Sequence, residues 1–267
     1  MLESLMSFGE IYEKPWKMFI WAFIMGSIGI IISLQVSYRV IISGIIFNLT
    51  GLFSVIFSII PAVYFVTHLI KKEELIEERR AERHADRFWE RHEKDILILL
   101  FHFLGLSLAF SLWSFVLPQD VFQIQLTKIN QIRGGITGSA IDKGLMFNKI
   151  LFNNIQVMIF SFLFSFIFGA GAIFIITWNA SIFGVFVGSV LSEEFWHIPV
   201  VTMSYLPHAI PEIGGYLSAA LGGGILSAAI LRRNRCAVMK TIFIDSLKLL
   251  ALGIALLVIA AFVEVYV

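Results

Sequence analysis

Cysteine, proline and charged residues are all scarce in this 267-residue chain. Its single cysteine, Cys236, cannot form an internal disulfide bond, which excludes a small disulfide-stapled scaffold. Only 15% of the residues are charged, and the net charge of +1 argues neither for nor against a nucleic-acid partner. No such partner is expected, because the charged segment 71–95 holds eight basic and nine acidic residues and is nearly neutral. The amino-terminal stretch is too acidic and too polar for a cleavable signal peptide, and none is expected.

Apolar residues are abundant instead. They make up 58% of the chain, include 26 phenylalanines and give a mean hydropathy of +0.86. Soluble domains are about 45–50% apolar, and several runs here reach the roughly 20 residues that cross a hydrocarbon core. The charges fall almost entirely between these runs, as a bilayer requires. The sequence therefore predicts an all-α fold, a polytopic transmembrane helical bundle solvated by the lipid bilayer.

About seven spans are expected, and six at the fewest. The apolar runs cover residues 18–36, 41–70, 96–117, 150–191 (two helices), 204–231 and 241–265. Within 150–191 a turn near Trp178–Asn179 is favoured over one at the glycines of 168–172, which makes the fifth span short. The chain then divides into a three-span region, 1–117, with a charged helical segment at 71–95, and a membrane domain, 118–267, with an outer polar segment at 118–149.

The basic residues between spans predict the orientation, because Lys and Arg near span ends stay in the cytoplasm. Lys71–Lys94 contains eight of them and Arg232–Lys240 contains four. Both segments are therefore expected to be cytoplasmic, which gives a multi-pass plasma-membrane protein with a cytoplasmic N-terminus. Opposite charges at i,i+3 spacing predict a helix in segment 71–95. We interpret it as a solvated extension, with a partner-docking helix as the alternative.

Five polar residues within or beside the apolar runs form a candidate polar cluster: Asn153, Asn154, Asn179, His208 and Glu212. The paired asparagines are expected at the outer end of the fourth span, where they either bond to a neighbouring helix or line a site. Asn179 is expected to cap the helix after the turn. Whether the five side chains converge on one cavity separates a binding site from simple helix contacts.

The stretch SYLPHAIPEI contains the most unusual of these residues. Pro207 and Pro211 suit the first turn of a helix, and Glu212 just after them is favoured by the helix dipole. His208 is left unexplained by a helix start, so capping and structural bonding compete with partner contact, ion handling and a metal site. HAIPE lacks the second histidine of the HExxH zinc motif. No catalytic set, metal or cofactor is expected, and the protein is not expected to be an enzyme.

The last span carries Asp245 and Lys248 at i,i+3, and Glu264 near its far end. These three are expected close to the membrane interfaces, where the first two can pair and reach water. Small residues recur at helical spacing in the second half, which is typical of closely packed membrane helices. The predicted helix-packing residues are Gly184, Gly188, Gly214, Gly215, Ser218, Ala219, Gly222 and Gly223.

The order of motifs NNIQV, FGAGA, WNAS and PHAIPEI, followed by a small-residue helix, resembles the stage II sporulation protein M family, in its archaeal form. The resemblance covers about Phe122–Val267. It implies an integral membrane protein that, in sporulating bacteria, is a partner of two cell-wall-degrading proteins and is not itself a hydrolase. The five polar residues are carried over only as motif positions.

Two functions follow from these features. The first is a non-enzymatic scaffold that organises other membrane or membrane-associated proteins or further copies of itself, with segments 71–95 and 118–149 as docking surfaces. The alternative is a transporter or lipid-handling permease that uses the polar cluster around His208 and Glu212. An intramembrane hydrolase ranks below both, because no nucleophile or ligand set accompanies this pair.

Overall fold

The computed structural model describes residues 8–36, 39–42, 45–63, 88–136, 143–168, 171–193, 198–231 and 236–266. They form a helical bundle, as the sequence predicted, and one small β-hairpin that it did not predict. The elements are α1 Phe8–Glu13, α2 Lys17–Gln35, β1 Arg39–Ile42, β2 Ile45–Asn48, α3 Thr50–Val63, α4 Phe88–Val116, a 3-10 turn Gln119–Phe122, α5 Gln123–Ile136, α6 Lys143–Phe168, α7 Ala172–Glu193, α8 Ile198–Leu231 and α9 Cys236–Tyr266.

Six of the described helices are long and apolar enough to cross a membrane: α2, α4, α6, α7, α8 and α9. Helix α3 is shorter, but it packs against α2 through Gly29 and Ser58, and its Ala62 shares a buried cluster with Met18 near the start of α2. It therefore runs antiparallel to α2. Of the charged segment predicted at 71–95, the last eight residues lie in α4, and residues 71–87 lie outside the described residues.

Contacts between glycines and facing helices give the direction of each span. Helices α2, α4 and α7 run parallel, because Gly105 contacts Phe19 while Gly26 contacts Ala109, and Gly184 contacts Ser107. Helix α8 runs parallel to α6 and antiparallel to α9. We call the end that holds the starts of α2, α4 and α9 the basal end, and the end that holds Val116 and Tyr266 the distal end.

The second apolar run is not one continuous helix. Instead of a span over 41–70, the chain forms an antiparallel hairpin of β1 and β2, with Arg39 opposite Asn48, before α3 begins at Thr50. The isoleucines of this stretch are β-branched and favour extended backbone. The single-helix prediction for this run was therefore wrong over its first eight residues.

The prediction of a turn at Trp178–Asn179 was also wrong. Helix α6 ends at Phe168 and α7 begins at Ala172, so the break falls in the glycine-containing FGAGA stretch. A side chain at Gly171 would collide with the carbonyl oxygen of Phe164, so the tight exit from α6 requires glycine. Asn179 lies inside α7, whose membrane-spanning part has 19 residues and is not a short span.

Helices α6 and α8 both begin earlier than their apolar runs. Helix α8 starts at Ile198, so Pro207 and Pro211 lie inside the helix and not in its first turn. Membrane helices tolerate internal proline because neighbouring groups satisfy the freed carbonyls. The buried part of α8 follows the prolines, from Gly215 onward, whereas Pro207 is exposed and Pro211 is half-buried. Because α6 starts at Lys143, the paired asparagines lie near its middle and not at its outer end.

Close backbone packing joins the spans of the second half to α4. A side chain at Gly184 or Gly188 would meet the backbone of α4 at Ser107 or Ser111. On α8, Gly223 faces the Phe162 carbonyl of α6. The other predicted packing positions of α8 lie against α9 or within its buried core: Gly214, Gly215, Ser218, Ala219 and Gly222.

Candidate functional site

A buried acidic group lies between α8 and α9, in the distal half of the bundle. Glu212 is half-buried and accepts a 2.7 Å hydrogen bond from the hydroxyl of Tyr216, one turn later on α8. Glu264 lies near the distal end of α9 and is also half-buried. Tyr216 itself is buried beside Met158 and Leu257. The hydrogen bond from Tyr216 fixes the rotamer of Glu212.

Asn154 lies at the same depth on the facing helix. A Cβ atom placed on Gly253 would lie 3.0 Å from both the Gly215 carbonyl oxygen and the Met158 Sδ, so these three residues form one layer across α6, α8 and α9. Asn154 lies one turn distal to Met158, and Glu212 lies about one turn distal to Gly215. Asn154 is buried on the inward face of α6 and therefore belongs to the level of the Glu212 carboxylate.

The structure divides the five predicted cluster residues among separate contacts. The Asn153 amide donates to the Asn154 carbonyl oxygen at 3.2 Å, and Asn153 itself is exposed. The Asn179 amide donates at 2.8 Å to the Ile175 carbonyl of its own helix. His208 is half-buried one turn before Glu212 on α8. The hydrogen bonds thus pair Asn153 with Asn154 and Glu212 with Tyr216, while Asn179 bonds within α7.

A second polar group, at the basal end, was not predicted. His92 and Asp95 at the start of α4 and Asp245 near the start of α9 are all buried. The His92 Nε2 lies 3.7 Å from an Asp245 carboxylate oxygen, and Lys248 lies 3.2 Å from the other. Asp245 and Lys248 do pair, as their spacing predicted, and Asp245 is buried, with 1% of its surface exposed. This group ties the starts of α4 and α9 together.

The middle of α4 carries a further buried histidine. His102 is fully buried, two turns after Asp95 on the same face, between residues of the main apolar core. Among the residues that the structure describes, neither of its ring nitrogens has a hydrogen-bond partner. The described residues also contain no group of three or more His, Cys, Asp or Glu side chains placed to hold a metal ion.

Outside the spans, the distal end carries an ordered platform built from the β1–β2 hairpin, the 3-10 turn and the start of α5. The backbone N–H of Asn48 donates to the Gln123 side chain at 2.8 Å, and the Asn48 amide reaches Asp120 at 3.4 Å. Arg39 also contacts Asp120 at 3.4 Å. The chain folds back here, because Phe122 packs edge-on against Phe110 of α4.

Gln125 anchors this platform in the bundle. Its side chain is fully buried and its amide donates to the Gly51 carbonyl of α3 at 2.8 Å and reaches the Ser181 hydroxyl of α7 at 3.4 Å. A Cβ atom at Gly51 would collide with the Gln125 side chain, so glycine is required for this approach. The amphipathic pattern of the outer segment gave no indication of this buried amide.

Comparisons with known proteins identify the family of this chain. The model of the family described as Stage II sporulation protein M matches residues 97–267. The match begins within α4, before the first of the motifs on which the resemblance rested. An uncharacterized protein of Methanocaldococcus jannaschii is 32% identical over 126 residues, which cover 45% of this chain and 70% of the relative. No solved structure matches. This chain is a multi-pass membrane protein that belongs to the Stage II sporulation protein M family.

Proposed function

We propose that this protein is a non-enzymatic scaffold of the plasma membrane that holds partner proteins at its ends. The observation that supports the proposal best is the distal platform, in which the hairpin is fastened to α5 and α5 is anchored by a fully buried Gln125. Such a surface is held in one shape outside the spans, which favours docking because little conformational entropy is lost on binding.

The interior of the bundle supports the same proposal. Gly184, Gly188 and Gly223 bring helices into backbone contact, which resists the sliding of one span past another. The basal end is expected in the cytoplasm, because both basic segments, Lys71–Lys94 and Arg232–Lys240, adjoin it. The scaffold would then present segment 71–95 inside and the platform outside.

Affinity purification from native membranes tests the scaffold. The full chain should retain the same partners in repeated preparations. A platform variant, Asn48→Ala with Asp120→Ala, should lose the outer partners and keep the inner ones, while the bundle still purifies as a folded protein. No reproducible partner, or unchanged partners with the platform variant, would count against it.

The transporter alternative depends on Glu212, Tyr216 and Glu264, because buried ionisable groups within spans are typical of proton and ion pathways. Proteoliposomes that contain Glu212→Gln separate the two functions. A transporter should lose solute or lipid flux with this variant. A scaffold should keep its partners, since Glu212 lies away from the platform.

A further inference from the structure

The outward face of α6 carries a polar side chain among large apolar ones. Gln156 is exposed on this face. Asn153 is also exposed on this face, but its amide already donates to Asn154. The exposed apolar neighbours one or two turns away are Phe152, Ile159, Phe160 and Leu163. Only 22% of the apolar window of α6 is buried within the molecule, so this face is turned toward the membrane.

Gln156 lies at the depth of the membrane centre. Met158, two residues basal to it, is level with Gly253 of α9. Gln156 is therefore level with about Leu256, in the middle of the unbroken apolar run Leu249–Val263. It also lies in the middle of the 26-residue α6. An exposed amide at this depth meets lipid chains that offer it no hydrogen bond.

Helix α9 provides the comparison. Only 28% of its apolar window is buried, which is close to the value for α6. Between residues 251 and 262, however, its exposed positions are all apolar and include Ile254, Val258, Ile259 and Phe262. Lipid alone suits that face. The face of α6 differs because an amide in hydrocarbon is unfavourable unless a hydrogen-bonding group on another helix covers it.

The partner that fits this face is an identical face. A glutamine amide has both donors and an acceptor, so two copies of Gln156 satisfy each other. The four seam positions carry no charge, and the nearest exposed charge on this face, Lys149, lies two turns distal to Gln156, toward the membrane surface. The positions 152, 156, 159 and 163 are spaced by four, three and four residues, which is the seam of a left-handed helix pair. We propose that the protein pairs with a second copy of itself through the outward face of α6, with the two Gln156 amides hydrogen-bonded at the centre of the seam.

The test uses purified full-length protein in liposomes, with the dimer fraction measured by single-molecule photobleaching across protein-to-lipid ratios. Gln156→Leu should raise the dimer dissociation constant about three- to thirtyfold, the usual range for one hydrogen bond between membrane helices. Because residue 156 faces lipid, leucine there should not impair folding of the monomer. Gln156→Asn keeps an amide and should lose less affinity than Gln156→Leu.

Cysteine cross-linking gives an independent readout, in a Cys236→Ser background. Gln156→Cys should form a disulfide-linked homodimer under mild oxidation, and the matched control Ile254→Cys, on the outward face of α9, should not. Three results would each overturn the proposal. The wild-type protein could stay monomeric, or Gln156→Leu could leave the dimer fraction unchanged. In native membranes, Gln156→Cys could cross-link only to a different protein. Because purified protein is used, the result does not depend on the scaffold partners.

Discussion

Gly223 shows how closely single residues govern the bundle. A methyl group at this position would collide with the Phe162 carbonyl oxygen and lie 3.0 Å from the Phe166 nitrogen, both of them backbone atoms of α6. Helices α6 and α8 must then move apart. Gly223→Ala should therefore lower the free energy of unfolding by about 1–3 kcal/mol, as overpacking does. Thermal unfolding in detergent, followed by the monodisperse fraction on size exclusion, measures the loss.

Gly214→Ala is the matched control for that change. Its methyl group would meet only the flexible end of Leu256, at 3.2 Å, and alanine favours a helix over glycine by about 1 kcal/mol. It should be neutral or slightly stabilising. Equal losses in the two variants would show that backbone contact with α6 is not what makes Gly223 necessary.

The basal group predicts an asymmetry between two paired residues. Asp245 is buried beside His92, whereas the Lys248 side chain is half exposed. Asp245→Asn should lower the free energy of unfolding by about 2–4 kcal/mol, because it breaks a buried charge interaction. Lys248→Met should lower it by only about 0–1 kcal/mol, as for an exposed pair. Thermal unfolding of both variants tests this, and a larger loss for Lys248→Met would contradict it.

The candidate residues illustrate what a sequence can predict of a site. Glu212 was singled out because an ionisable residue in an apolar run is unusual, and that reasoning needs no structure. The contact of His92 with Asp245 joins distant parts of the chain, so no local spacing indicates it. Asn179 was expected to cap a helix because asparagine tolerates the backbone angles of a turn, but its amide donates to the Ile175 carbonyl and the helix continues.

At the scale of elements, the spans were predictable and their ends were not. Hydropathy located the long helices, yet it merged a hairpin with α3, although Ser43 and Gly44 form a dipeptide typical of turns. The prolines of α8 also suggested a helix start, because local propensity ignores the neighbours that enclose this helix. The packing of α8 on its neighbours depends on distant parts of the chain, and one chain segment does not reveal it.

The contact between the hairpin and α3 predicts a local effect. The Asn48 side-chain oxygen accepts hydrogen bonds from the Thr50 backbone N–H at 3.0 Å and from its hydroxyl at 2.6 Å, which fixes the start of α3. Asn48→Ala should destabilise this first turn by about 1–2 kcal/mol, as the loss of a cap does. Hydrogen exchange at residues 51–54 should accelerate correspondingly.

Arg39→Ala is the control for the hairpin, because the Arg39–Asp120 pair is exposed on both sides and contributes about 0–1 kcal/mol. Hydrogen exchange at the start of α3 should hardly change with this variant. If Arg39→Ala accelerated exchange as much as Asn48→Ala, the platform would be held by its surface charges and not by the Asn48 contacts.

At the scale of the whole molecule, the helix directions favour seven crossings. Helices α2 and α4 run parallel, so the chain must return between them, and α3 runs antiparallel to α2. The contact of Lys94 with the Tyr12 ring, at 5.0 Å, places the amino-terminal helix at the basal end, while α9 finishes at the distal end. The two termini of the described chain should then lie on opposite sides of the membrane.

Cysteine labelling in intact cells tests this topology, in a Cys236→Ser background. Asp120→Cys, exposed at the distal end, should react with a membrane-impermeant maleimide from outside. Glu10→Cys and Lys94→Cys, both exposed at the basal end, should react only after lysis, because basic segments adjoin that end and stay in the cytoplasm. Labelling of Glu10→Cys and Asp120→Cys from the same side would mean that α3 does not complete a crossing, and labelling of Lys94→Cys in intact cells would reverse the orientation.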